Sequence, residues 1–166
     1  MRRPRIMLLV AVVFAAFTTV GCATANRYEG MPDDFSVEAV VYPSSDAADA
    51  AGVDAVHYVL LADGSLHARV GSGAWAGRLP GEVRKLTGRQ MFNIWNASAE
   101  VRQGELGGDE VDYLAAEAPP AAGVAYLIWI RSFDREEAWR WDSEVGPPAA
   151  VESLFTALET AAMLRR

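Results

Sequence analysis

The sequence predicts an α+β domain: a two-layer sandwich with an antiparallel sheet and two helices packed on one face. Three observations lead there. Two β-hairpin patterns occur, VHYVLLA-DG-SLHARVG and VAYLIWIRSF followed by EAWRWDS. Each is followed by a stretch with apolar residues at helical spacing. Hairpins alternating with helices leave one sheet face for the helices to cover. Strand, hairpin and helix occur in that order twice, offset by about 70 residues, which suggests a duplicated unit, although the two halves share little identity.

The chain has 166 residues, 51% of them hydrophobic, with 22 acidic and 15 basic side chains, two His and one Cys. That length supports one domain, or two very small ones. A single Cys rules out a disulfide framework and a structural zinc site built from Cys. The acidic balance argues against nucleic acid as a partner, since such proteins carry a basic patch or stripe.

The N-terminus has the layout of an export signal. Arg2, Arg3 and Arg5 form a basic segment, and residues 6–20 contain only two polar side chains, Thr18 and Thr19. This stretch is short for a transmembrane helix, which needs about 20 apolar residues, and suits a secretory signal peptide. Thr19-Val20-Gly21-Cys22 closes it. These four residues resemble the lipobox of bacterial lipoproteins, with Thr19 standing where Leu is usual. The resemblance covers residues 1–22 and implies cleavage before Cys22, acylation of its sulfur with chains such as palmitate, and usually acylation of the new amine. Each buried methylene contributes about 0.8 kcal/mol to such an anchor. Ala23 follows the Cys where inner-membrane lipoproteins tend to carry Asp. The resemblance therefore implies an outer-membrane anchor facing the periplasm, with membrane lipid as the first partner. The organisation expected is a signal peptide over residues 1–21, a lipidated tether over 22–34 and one domain over 35–166. Cleavage removes three Arg and no acid, which takes the net charge from −7 to −10.

Along the mature chain, FSVEAVVY (residues 35–42) is β-rich and ends at Pro43. Residues 44–54 are rich in Ala, Asp and Ser and read as a loop. Asp63-Gly64 suits a two-residue type I′ turn, whose central residues need positive φ. That turn sets Leu61 opposite Leu66, Leu60 opposite His67 and Val59 opposite Ala68. Val59, Leu61, Leu66, Ala68 and Val70 then share the core face, with His57 at its end. Tyr58, Leu60, His67 and Arg69 share the outer one. Residues 71–81 form a Gly-rich loop holding Trp75. Residues 82–97 read as a helix through Val83, Leu86, Gln90 or Met91, Ile94 and Trp95, despite Gly88. Residues 110–117 read as a strand and APPAAG (118–123) as a break. In the second hairpin Phe133 faces Ala138 across a turn at residues 134–137. Ile128, Ile130, Trp139 and Trp141 then lie on the core face, and Leu127, Trp129, Arg131, Phe133 and Arg140 on the outer face. Pro147-Pro148 opens a final helix with a Val151, Leu154, Phe155, Leu158, Ala162 stripe.

Few residues suggest chemistry. No Ser lies in a Gly-x-Ser-x-Gly elbow, and the Gly-rich stretches match neither a P-loop nor a dinucleotide fingerprint. His57 and His67 face opposite ways in the hairpin, so they cannot share a metal ion. Asp109, Glu110 and Asp112, and Asp134, Glu136 and Glu137, read as solvated loop acids. No catalytic residue, metal or cofactor is therefore assigned. The outer face, with Tyr58, Leu60, Leu127, Trp129, Arg131, Phe133 and Arg140, is too apolar for open solvent. Three readings account for it: cover by the 44–54 loop and the tether, docking of a protein partner or second copy, or a ligand surface with Trp129 stacking and Arg131 or Arg140 binding an anion. Arg131 opposite Arg140 is a like-charge pair that asks for an acid such as Asp142. The expected role is a membrane-anchored envelope lipoprotein acting as a non-catalytic binding module. The alternative is an envelope enzyme or enzyme accessory with a site assembled from distant loops.

Overall fold

The computed structural model describes residues 30–51, 53–71, 74, 79–103, 109–110, 120–144 and 146–163. The signal peptide, Cys22, Trp75 and most of the expected strand at 110–117 lie outside the described residues. The elements run β1 (Ser36–Pro43), α1 (Ser45–Ala51), β2 (Val56–Leu60), β3 (Ser65–Val70), β4 (Glu82–Lys85), α2 (Gly88–Ala97), α3 (Ala99–Arg102), β5 (Asp109–Glu110), β6 (Val124–Ser132), β7 (Arg135–Ser143) and α4 (Ala149–Ala162). The strands form one sheet in the order β4-β3-β2-β1-β6-β7-β5, and every pairing is antiparallel. The fold is the expected α+β sandwich. The two halves are wired differently, because β1 pairs the first arm of its own hairpin whereas β5 pairs the second arm, β7.

Strand β1 alternates between the two faces. Val37, Ala39 and Val41 join Tyr58, Leu60, Ile128, Ile130 and Trp141 beneath α2 and α4. The helices contribute Met91, Ile94 and Trp95 from α2 and Val151, Leu154 and Leu158 from α4. On the opposite face Val40 and Tyr42 pack with Ala125, Leu127, Trp129 and Ala138 in a second buried cluster. Strands buried on both sides read as near-continuous apolar runs, as VVY of β1 and LIWI of β6 do.

The first hairpin departs from the expected register by one residue. Leu60 pairs Leu66, Tyr58 pairs Ala68 and Val59 pairs His67. The connection is a three-residue loop, residues 62–64, closed by Gly64 at φ +85°. The Leu61 N–H donates to the Ser65 carbonyl at 2.9 Å and the Gly64 N–H to the Leu61 carbonyl at 2.9 Å. Asp63 takes part in the turn through its side chain, accepting from the Ser65 N–H at 2.9 Å and from Lys85 Nζ at 2.6 Å. A one-residue slip transfers every side chain to the other face. Tyr58 and Leu60 therefore belong to the helix-covered core, and His57, Val59, His67 and Arg69 to the opposite face.

Residues 82–85 form an edge strand and not the start of a helix. Arg84 pairs Leu66 and Lys85 pairs Ser65 across a bulge. The helix begins later, at a capping box: Gln90 Oε1 accepts the Thr87 N–H at 2.9 Å, and Thr87 Oγ1 accepts the Gln90 N–H at 3.4 Å. Thr87-x-x-Gln90 is a start signal that overrides the apolar spacing through Val83 and Leu86. Arg84 instead donates to the Ala161 carbonyl in the last turn of α4 at 3.1 Å, where a cation is favoured. Residues 45–51, expected as loop, form the short helix α1, whose start is braced by the Ala47 N–H donating to Ser44 Oγ at 3.2 Å. Among the described residues no helix is long and apolar enough to cross a membrane.

Two outcomes test the first turn. A Cβ on Gly64 would meet Met91 Sδ at 3.0 Å and the Leu86 carbonyl oxygen at 3.2 Å, at a φ that disfavours L-residues. Gly64→Ala should therefore destabilise the domain by about 1–2 kcal/mol in urea unfolding. The Lys85 and Ser65 hydrogen bonds hold the Asp63 carboxyl down to about 2, against 3.8 unperturbed. A depressed folded pKa supplies stability above the unperturbed value that is lost as pH falls through the folded one. Melting temperatures of wild type and Asp63→Asn should thus differ at neutral pH and converge between pH 4 and 2.

Candidate functional site

The candidate site is the sheet face opposite α2 and α4. Across it run two rows fixed by the pairing. One is Arg69, His57, Val40, Leu127 and Arg140, and the other is His67, Val59, Glu38, Trp129 and Ala138. His57 and His67 therefore share a face, two residues apart along the ladder, contrary to the expectation that they face opposite ways. Among the described residues, no group of three His, Cys, Asp or Glu side chains could hold a metal ion.

His57 is buried, at 1% exposure. Its Nε2–H donates to Glu38 Oε1 at 2.8 Å, and its Nδ1 is buried without a hydrogen-bond partner among the described residues. A carboxylate oxygen is an acceptor, so Nε2 carries the proton in this bond. His67 is anchored separately, Nδ1 donating to the Pro80 carbonyl at 2.9 Å. Beside Glu38 an open depression of about 190 Å³ is lined by residues that include Val37, Val59, Leu60, Trp129, Arg131 and Glu136. Small-molecule sites usually span about 300–1,000 Å³, so this one is small for such a site.

The seven residues expected to form one outer surface are dispersed. Tyr58 and Leu60 lie in the core beneath the helices, a correction that follows from the first hairpin's register. Leu127 and Trp129 occupy the expected face but are buried there, Trp129 to 5% exposure. Arg131 is exposed and faces Glu136, not Arg140. The second hairpin turns at Phe133-Asp134, so Trp129 and not Phe133 faces Ala138. That displacement by an even number of positions keeps the expected faces and changes only the partners. Arg140 donates to Asp142 at 2.8 Å, and with Arg131 opposite Glu136 the expected like-charge pair does not form. Phe133 stands at the hairpin tip, 62% exposed. Of the seven, the structure keeps Leu127, Trp129, Arg131 and Arg140 on one face.

The Glu38–His57 pair is the feature that sequence reasoning missed. Its signal is Glu38 inside an otherwise apolar strand, but its partner depends on the β1–β2 register.

A larger groove of about 630 Å³ lies between α2 and α4, lined by residues that include Gln90, Asn93, Glu152, Ser153 and Thr156. Of its lining residues only Glu152 titrates, and amides and hydroxyls suit hydrogen bonding better than proton transfer. Comparison with protein-family models and with curated proteins found no match.

Glu38 is partly buried and His57 fully so; removing the carboxylate leaves the buried ring unsatisfied, whereas replacing both is cheaper. Glu38→Val should therefore cost about 1–3 kcal/mol, and adding His57→Val should cost less than the sum of the single changes. Urea unfolding of the double-mutant cycle measures the coupling. Additive effects would show that the pair contributes nothing.

Proposed function

We propose that this chain is a bacterial envelope lipoprotein, held by an acylated Cys22 at the periplasmic side of the outer membrane. In this reading the α+β domain works as a non-catalytic module that binds another envelope component. The observation that carries the reading is the placement of Gly21-Cys22 at the end of a 15-residue apolar stretch behind three Arg.

The geometry of the charged groups supports a binding role. Several carboxylates are engaged in structural contacts: Glu38 with His57, Asp63 with Lys85, and Asp142 with Arg140. Asp34 accepts two backbone N–H groups of the β6–β7 turn, at 2.9 and 2.7 Å, and the bond from the Asp134 N–H is the main cause that lowers its pKa. General acid–base catalysis needs a carboxyl poised near the working pH, and the lowered pKa values of Asp34 and Asp63 move those two the wrong way.

The wild-type chain should appear in mass spectra as a mature form beginning at an acylated Cys22. Replacing Cys22 with Ser should remove the acyl mass and leave residues 1–21 attached. A mature wild-type chain starting elsewhere, or a Cys22→Ser protein still cleaved before residue 22, would sink the assignment.

A further inference from the structure

The chain enters the domain beside the tip of the β6–β7 hairpin. Asp34, two residues before β1, accepts the N–H groups of Phe133 and Asp134. Both turn residues have positive φ, +54° and +57°, a conformation that costs a bulky aromatic residue energy. The Phe133 ring nevertheless remains largely exposed. Its inner edge meets Trp95, with ring centroids 6.0 Å apart. Trp95 in turn packs edge-on against Phe35 at 5.0 Å and lies 3.1 Å beneath the Arg102 guanidinium. Exposed Arg131 and Arg135 flank the tip together with exposed Asp134 and Glu136. The pairings Ser36–Arg131 and Val37–Leu60 put this tip and the Asp63-Gly64 loop at the same end of the sheet, where β1 starts.

We infer that this end of the sheet faces the bilayer, and that Phe133 inserts into its interfacial zone. The inference rests on the lipid-anchor reading of Cys22. Seven residues lie between Cys22 and Gly30, where the described part of the domain begins. Eight links of chain reach at most about 28 Å. The start of β1 is thus the part of the domain kept nearest the anchor, and Phe133 is hydrogen-bonded to it. Tethering raises the local concentration of the bilayer around the tip, so a contact too weak to bind free vesicles becomes populated. Aromatic rings suit the interface, where one end is apolar and the other wet.

The test uses the full-length acylated protein in phosphatidylethanolamine/phosphatidylglycerol vesicles containing nitroxide-labelled lipids. With Cys22 acylated, Phe133→Cys supplies the only free thiol for a fluorescent probe. Arg131→Cys gives a second probe near the tip should the first variant fold poorly, and Val70→Cys reports from the exposed far end of β3, level with Val56 and Val41. Quenching by the lipid nitroxide should be several-fold stronger at 133 and 131 than at 70. Equal quenching at all three positions, with the protein still vesicle-bound, would overturn the inference and leave the anchor intact. Shielding of the 133 probe that depends on protein density and not on the nitroxide would also overturn it, pointing to a second copy at the tip. A protein that fails to bind vesicles and shows no acyl mass on Cys22 would remove the anchor reading, and this inference with it.

Discussion

Strand β1 is hydrogen-bonded along both edges, to β2 on one side and over eight residues to β6 on the other. The rest of the sheet depends on that double pairing. Each hairpin is a local unit, but neither is stable alone in water without a third strand or a helix to cover it. Strand β1 supplies the third strand to both. It is also the place where the two buried clusters meet, since alternate residues of one strand feed opposite faces. Val37, Ala39 and Val41 face the helices, whereas Val40 and Tyr42 face away.

The same strand explains the buried polar pair. Once Val37 and Val41 are fixed toward the helices, Glu38 must lie on the other face, beside His57 of β2. A carboxylate among Val40, Val59 and Trp129 would be costly without a partner, and His57 supplies one at 2.8 Å. The pair therefore reads as a consequence of how the sheet is assembled. The remaining titratable groups follow a similar logic. Asp63 braces one turn and Asp34 the other, so the carboxylates at the β1 end serve the backbone.

Turn geometry decided which expectations survived. At Asp63-Gly64 the sequence shows a turn but not its length. A three-residue loop ending in Gly at positive φ is nearly as good a solution as a two-residue turn, and tertiary contacts favoured it, because the Leu86 N–H donates to the Gly64 carbonyl at 2.8 Å. The slip moved Tyr58 and Leu60 into the core and brought His57 and His67 to one face. At the second hairpin the displacement was even, so Ile128, Ile130, Trp139 and Trp141 stayed on the helix side as their alternation implied. The Phe133-Asp134 turn has no Asn-Gly signal, and its reason lies a hundred residues away, in the carboxylate of Asp34.

By itself the sequence determined the sandwich class, the alternating faces of the second hairpin and the stripe of α4. Hydrophobic periodicity acts over a few residues and can be read from them directly. Only the tertiary structure decided the register of the first hairpin, the strand character of residues 82–85 and the pairing of Glu38 with His57. Each of these depends on which strand lies alongside, and the energy that selects the neighbour comes from contacts between residues far apart in the chain.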